Sequence, residues 1–162
     1  MALPVVDNPF AVLTLIAAPA VFTNASSVLA LGTGNRLARV VDRTRILSRT
    51  LQTEPPNAAE TVMWGRQLGR LEKRAALLVR AMSFFYTAVG SFAAASLVSL
   101  LGASLAGSRY NLSFHLIAGI SFVVGMVGFV GLSIGCTFLV RETHLALQNL
   151  SEEAKLAKSW LK

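Results

Sequence analysis

Three long stretches of this chain contain no Asp, Glu, Lys or Arg, and they limit its fold more than any other feature. They cover residues 8–35, 81–108 and 110–140. Each is longer than the roughly 20 apolar residues with which an α-helix crosses a hydrocarbon core. Because the backbone groups in that core must be satisfied inside the segment, helices are expected. The sequence therefore predicts an all-α integral membrane protein with three transmembrane helices, at residues 9–35, 81–107 and 114–140.

The overall composition agrees with this class of protein. Hydrophobic residues make up 54% of the chain and charged residues only 14%, which is too apolar for an ordinary soluble domain. The net charge of +7 comes without any motif that reads DNA or RNA, so we expect no nucleic-acid partner. The single cysteine, Cys136, lies in an apolar stretch and excludes an internal disulfide framework.

The basic residues are unevenly placed between the predicted membrane helices. Residues 36–80 carry ten of them, whereas the second connection carries only Arg109. By the positive-inside rule, the long connection lies in the cytoplasm. Three crossings then place the C-terminal segment on the same side and the N-terminus, with its lone Asp7, outside.

The connection at residues 36–80 is predicted to be a cytoplasmic basic helical hairpin, because apolar residues recur there at coiled-coil spacing. These residues are Leu37, Val40, Thr44, Leu47 and Leu51, then Leu68, Leu71, Ala75, Leu78 and Met82. Pro55 and Pro56 mark its tip, since paired prolines cannot continue a helix. Residues 141–162 are predicted to form a cytoplasmic C-terminal helix, although Ser151-Glu152-Glu153 would also suit a separate helix start. The long helical extensions and the membrane helices make one membrane domain, residues 1–162.

A family resemblance is carried by Ala18-Pro19 and by residues 35–45, Asn-Arg-Leu-Ala-Arg-Val-Val-Asp-Arg-Thr-Arg. The chain resembles a family of small bacterial membrane proteins known only as a domain of unknown function. The resemblance implies a three-helix protein of the bacterial inner (plasma) membrane, and it implies no activity or catalytic residue. Residues 23–27, Thr-Asn-Ala-Ser-Ser, depart from the apolar character usual there in the family.

Polar residues on the first predicted helix recur every three or four positions and so share one face. The candidates for lining a pore are Asn24, Ser27, Leu31, Asn35, Asp42 and Arg45. If several copies surround an axis, Asn24 and Ser27 offer oxygens to a passing ion. The alternative is that these side chains only hydrogen-bond neighbouring helices, at about 0.6 to 2 kcal/mol each.

Small residues on the third predicted helix form a groove suited to close contact between helices. The helix-packing candidates are Ser121, Gly125, Gly128, Gly131 and Gly135. The pattern leaves open whether the partner helix belongs to the same chain or to another copy. On the second helix, a similar small-residue stripe is predicted at Thr87, Ser91, Ala94, Ser99, Gly102 and Ala106.

The leading functional hypothesis is a homo-oligomeric membrane pore or ion channel, with the first helix lining the axis. The alternative is a noncatalytic accessory or scaffold protein that binds another membrane complex through its cytoplasmic helices. We expect no enzyme and no cofactor, because the spans lack the ionisable or metal-binding groups that catalysis there needs. His115 and His144 lie at opposite ends of the third span and cannot share a metal within one chain. The cytoplasmic arginines are expected to contact the bilayer through anionic lipid headgroups.

Overall fold

The structure, a computed structural model, describes the backbone of residues 9–53, 58–105 and 111–160, and the side chains of residues 17–53, 63–102 and 116–151. All of these backbone residues are α-helical, which confirms the all-α prediction. Helix α1 runs over Pro9–Thr53, α2 over Ala58–Leu105 and α3 over Asn111–Trp160.

The helix boundaries follow local chemistry. Pro9 begins α1, where the missing N–H of proline removes no helical hydrogen bond. The same helix runs through Pro19 and extends to Thr53, two residues before the Pro55-Pro56 pair in the sequence. Helix α3 runs without interruption through Ser151-Glu152-Glu153, so no separate helix starts there.

Two of the three helices are long and apolar enough to cross a membrane, over Met63–Gly102 and Leu116–Ser151. In the most apolar segment of each of these two helices, only 28% and 11% of the residues are buried inside the chain, unlike in the core helix of a soluble protein. The described part of α1 does not qualify as a third span. Its hydropathy is lowered by several polar residues, namely Thr23, Asn24, Ser26, Ser27, Thr33 and Asn35.

The chain divides into two compact units, each containing segments of all three helices. The first unit comprises Met1–Ala30 and Ser83–Ile134, and the second comprises Leu31–Met82 and Gly135–Lys162. In the first unit, α2 buries a face with three- and four-residue spacing, made of Phe85, Ala88, Phe92, Ala95 and Ser99. Two members of the small-residue stripe predicted on α2, Thr87 and Ala94, are instead exposed.

The second unit has a core of aliphatic side chains. Val40, Leu71 and Leu78 are buried, with Leu78 fully excluded from solvent. Partly buried residues pack against them, namely Leu37, Leu47, Ala75 and Leu139. Six of these seven residues belong to the coiled-coil spacing noted in the sequence, and Leu139 is supplied by α3. The repeat along α1 and α2 therefore corresponds to the packed side of both helices in this unit.

Candidate functional site

A buried carboxylate on α3 is the main polar feature of the second unit. The Glu142 side chain is only 2% exposed. Arg74 of α2 donates to its Oε1 from two nitrogens, Nε at 2.8 Å and NH2 at 2.7 Å. Two short charge-assisted hydrogen bonds offset much of the cost of removing this carboxylate from water.

A second arginine reaches the same carboxylate from α1. The NH1 group of Arg36 lies 3.6 Å from Glu142 Oε2 and donates to Thr143 Oγ1 at 3.3 Å. The Thr143 hydroxyl in turn donates to the carbonyl of Leu139 at 2.9 Å. Glu142 thus connects α1, α2 and α3. Because the Thr143 proton is directed to the Leu139 carbonyl, the Thr143 oxygen acts as the acceptor that orients Arg36.

The pore-lining candidates on α1 all lie on an exposed face. Asn24, Ser27, Leu31, Asn35, Asp42 and Arg45 are each exposed in the chain. At 100° per residue they fall within a sector of the helix about 80° wide. Among the described side chains of α1, those of residues 17–53, the buried ones are Ser26, Ala30, Thr33 and Val40, and their sector is centred about 140° away. The candidate face therefore points away from the side of α1 that packs within the chain.

Two residues of that face differ in how their polar groups are satisfied. The Ser27 hydroxyl donates to the carbonyl of Thr23, one turn earlier on the same helix, at 2.8 Å. The amide of Asn24 makes no hydrogen bond with any side chain or backbone group that the structure describes. Of these two residues, Asn24 is therefore the one whose side chain needs a partner beyond the residues that the structure describes.

The helix-packing candidates on α3 occupy three different environments. A Cβ added to Gly128 would lie 3.0 Å from the Phe92 ring, and one added to Gly131 would lie 3.5 Å from the Phe84 carbonyl. Gly125 has nothing within 4 Å of such an atom, and Gly135 is buried in the second unit. In the first unit, then, the close approach made through Gly128 and Gly131 is to α2 of the same chain.

Ser121 adds a polar link between α2 and α3. Its hydroxyl donates to the Ala95 carbonyl at 3.0 Å and lies 2.6 Å from the Ser99 hydroxyl. Because the Ser121 proton is directed to the carbonyl, Ser99 is the donor between the two hydroxyls. Buried Ser26 of α1, by contrast, has a hydroxyl with no partner among the described residues.

Sequence reasoning did not connect Arg36, Arg74 and Glu142. The available signal was Glu142 itself, an acidic residue two positions after an apolar stretch in a chain whose charges are mostly basic. No group of three or more His, Cys, Asp or Glu residues suited to a metal occurs within the described part of the chain.

The fold and these sites define an all-α protein with two helices long and apolar enough to cross a membrane and a three-helix charge cluster. The chain belongs to DUF2721, a protein family of unknown function whose profile matches residues 16–152, and this confirms the resemblance seen in the sequence. No curated protein and no solved structure matches the chain.

Proposed function

We propose that this protein is a homo-oligomeric pore of the bacterial inner membrane, in which α1 of each copy lines the axis. The observation that supports it is the exposed polar face of α1, which lies opposite the face that α1 uses for packing in its own chain. A pore requires helices whose polar face is left available for a shared, hydrated axis.

The proposed arrangement in the membrane has three transmembrane helices, with α1 as the third span beside the apolar parts of α2 and α3. The N-terminus lies outside, and the basic connection and the C-terminal segment lie in the cytoplasm. The asymmetry of arginine and lysine supports this orientation, since ten basic residues fall in residues 36–80. No catalysis and no cofactor is part of the proposal.

Assembly follows from the cost of leaving polar groups in lipid. Asn24 lies near the middle of the charge-free stretch at residues 8–35 and is exposed in the chain. An amide facing hydrocarbon without hydrogen bonds is unfavourable by several kcal/mol. A ring of copies that turns Asn24 and Ser27 towards a common axis supplies water to both.

The test measures ion flux from reconstituted full-length protein alongside oligomer size. We expect Asn24→Leu and Ser27→Leu to lower flux per intact oligomer at least about tenfold, because apolar side chains dewet a narrow path. Ser133→Leu is the matched control, since it replaces an exposed hydroxyl on α3, outside the proposed axis. A closed ring with a hydrated axis in particle images is expected from the wild type.

Three results would contradict the pore. The first is wild-type protein that forms no ring or passes no ion. The second is unchanged flux per oligomer in both α1 variants. The third is a failure of Asn24→Cys and Ser27→Cys to react with a small water-soluble thiol reagent.

A second candidate function is a noncatalytic accessory protein, favoured by apolar residues left exposed in the second unit. Leu147 and Leu150 of α3 are 59% and 63% exposed and lie three residues apart, on one face. Ile46 of α1 is 65% exposed. A monomer that purifies with a fixed stoichiometric partner, and loses it in Leu147→Ser, would favour this function over the pore.

A further inference from the structure

We infer that Arg36, positioned by Thr143 and Glu142, binds the phosphate of an anionic phospholipid. The inference rests on the proposed membrane location but not on the pore. It assigns a particular ligand class to one guanidinium, where the excess of basic residues predicts only a general attraction to the membrane surface.

The charge of the cluster leaves Arg36 available to an anion. Arg74 supplies two short hydrogen bonds to Glu142 Oε1, whereas Arg36 approaches the other oxygen only to 3.6 Å. Two arginines and one carboxylate carry one excess positive charge. The Arg36 side chain is 49% exposed, against 25% for Arg74 and 2% for Glu142, so the excess charge lies at the surface on Arg36.

The supports on α3 fix one side of the guanidinium. Both contacts of Arg36 use NH1, which is directed at Thr143 Oγ1 and Glu142 Oε2. The NH2 and Nε groups make no hydrogen bond to any residue that the structure describes. A guanidinium oriented in this way presents two neighbouring donors, the arrangement that matches two oxygens of a phosphate.

The position of the cluster along the chain favours a lipid over a soluble phosphate. Arg36 is the first charged residue after the stretch at residues 8–35, and Glu142 follows the stretch at 110–140 by two positions. A Cβ at Gly34 would lie 3.8 Å from Met82. The charge-free stretch of α2, which begins at residue 81, therefore has its boundary at the same level. Three apolar stretches that end together mark the headgroup layer, where lipid phosphates are concentrated.

The site also lies apart from the proposed pore face. Arg36 is about 140° around α1 from the centre of the sector that contains Asn24 and Asn35. Lipid binding and ion flux are therefore separable by experiment, because a substitution at Arg36 changes no residue of the proposed pore lining.

The experiment titrates short-chain phosphatidylglycerol, phosphatidylcholine and inorganic phosphate separately into the full-length protein in a neutral detergent, and native mass spectrometry gives the bound fraction. We expect the wild type to prefer phosphatidylglycerol and Arg36→Gln to weaken that binding about fivefold. The matched control is Arg49→Gln, an exposed arginine of the same unit about 20 Å further along α1. It removes the same charge and should change the affinity less than about twofold.

Two further variants keep the test decisive if Arg36→Gln is unstable. Arg36→Lys retains the charge but loses the two neighbouring donors, so it should weaken the binding by more than about twofold. Thr143→Val removes only the hydroxyl that orients Arg36 and should weaken binding about twofold. Equal losses in Arg36→Gln and Arg49→Gln would overturn the site in favour of a diffuse charge effect. Inorganic phosphate binding as tightly as the lipid would overturn the choice of ligand, and neither result depends on whether the protein conducts ions.

Discussion

In the first unit the helices meet through Gly128, Phe92 and Phe22, whereas in the second they meet through Leu78, Glu142 and Arg74. The Phe22 and Phe92 rings stack with centroids 5.3 Å apart, and Phe129 meets Phe22 edge-on at 6.4 Å. The second unit instead combines an aliphatic core with a buried ion pair. One unit relies on complementary shape and the other on charge and apolar burial.

The difference agrees with the proposed arrangement in the membrane, in which lipid surrounds the helices of the first unit and water surrounds most of the second unit. Lipid chains are as apolar as the helices they surround, so burial of apolar surface drives helix association only weakly there, and close contact must supply the stability. In water, the burial of Leu71 and Leu78 is itself favourable. Substitutions that change the size of a side chain should therefore lower stability most in the first unit, and substitutions that change a charge should lower it most in the second.

The largest expected effect comes from breaking the ion pair of the second unit. Arg74→Met leaves the buried Glu142 carboxylate with only the distant Arg36, and should lower the free energy of unfolding by about 3 kcal/mol. The measurement is an SDS titration of the protein in mixed micelles. Glu72→Gln, which changes an exposed charge on the same helix, should cost less than about 0.5 kcal/mol.

A double variant sharpens this prediction. Arg74→Met combined with Glu142→Leu removes both buried charges and should recover at least half of the loss, since an uncompensated buried charge is worse than none. A double variant less stable than Arg74→Met would show that the carboxylate is stabilised by something other than this pair.

A smaller effect is expected from adding one methyl group to the first unit. Gly128→Ala places its Cβ 3.0 Å from the ring of Phe92, which is buried and has little room to move. We expect a loss of about 1 to 3 kcal/mol in the same titration. Gly125→Ala meets nothing within 4 Å and should stay within about 0.5 kcal/mol of the wild type. Equal stability of the two variants would remove shape as the basis of the contact.

The smallest effect concerns the hydroxyl link of the first unit. Ser121→Ala loses the hydrogen bond to the Ala95 carbonyl and deprives Ser99 of its acceptor, so a cost of about 0.6 kcal/mol is expected. Ser133→Ala serves as control, because its hydroxyl donates to the Phe129 carbonyl within its own helix. A cost for Ser121→Ala as large as that of Gly128→Ala would mean that polar links dominate this unit too.

Much of the fold was predictable because it depends on local sequence. The charge-free stretches and the prolines at 55 and 56 indicate helices and their limits through composition and backbone geometry alone. The aliphatic repeat through Val40 and Leu78 likewise predicts which side of each helix is buried in the second unit. Neither inference needs knowledge of distant contacts.

The packing of the first unit was harder to predict, because residue size does not by itself select a face. The stripe containing Thr87 and Ala94 is small but exposed. The buried face of α2 instead carries Phe92, whose ring occupies the space left by Gly128 on α3. The fit of the Phe92 ring against Gly128 depends on the sequences of both helices, so it cannot be predicted from either helix alone. Glu142 likewise pairs with Arg74 and Arg36, out of the ten basic residues at 36–80, because of how three separate helices pack.

The hydroxyl groups that bond within their own helices have a consequence for how the chain is made. Thr23 donates to the Pro19 carbonyl, Ser96 to Phe92 and Ser133 to Phe129. During synthesis, a helix whose hydroxyls are already satisfied can leave the translocon for lipid before its neighbours have emerged. Asn24 makes no such bond among the described residues, so under the pore proposal the late step of biogenesis would be the meeting of α1 with other copies, after each chain has been inserted.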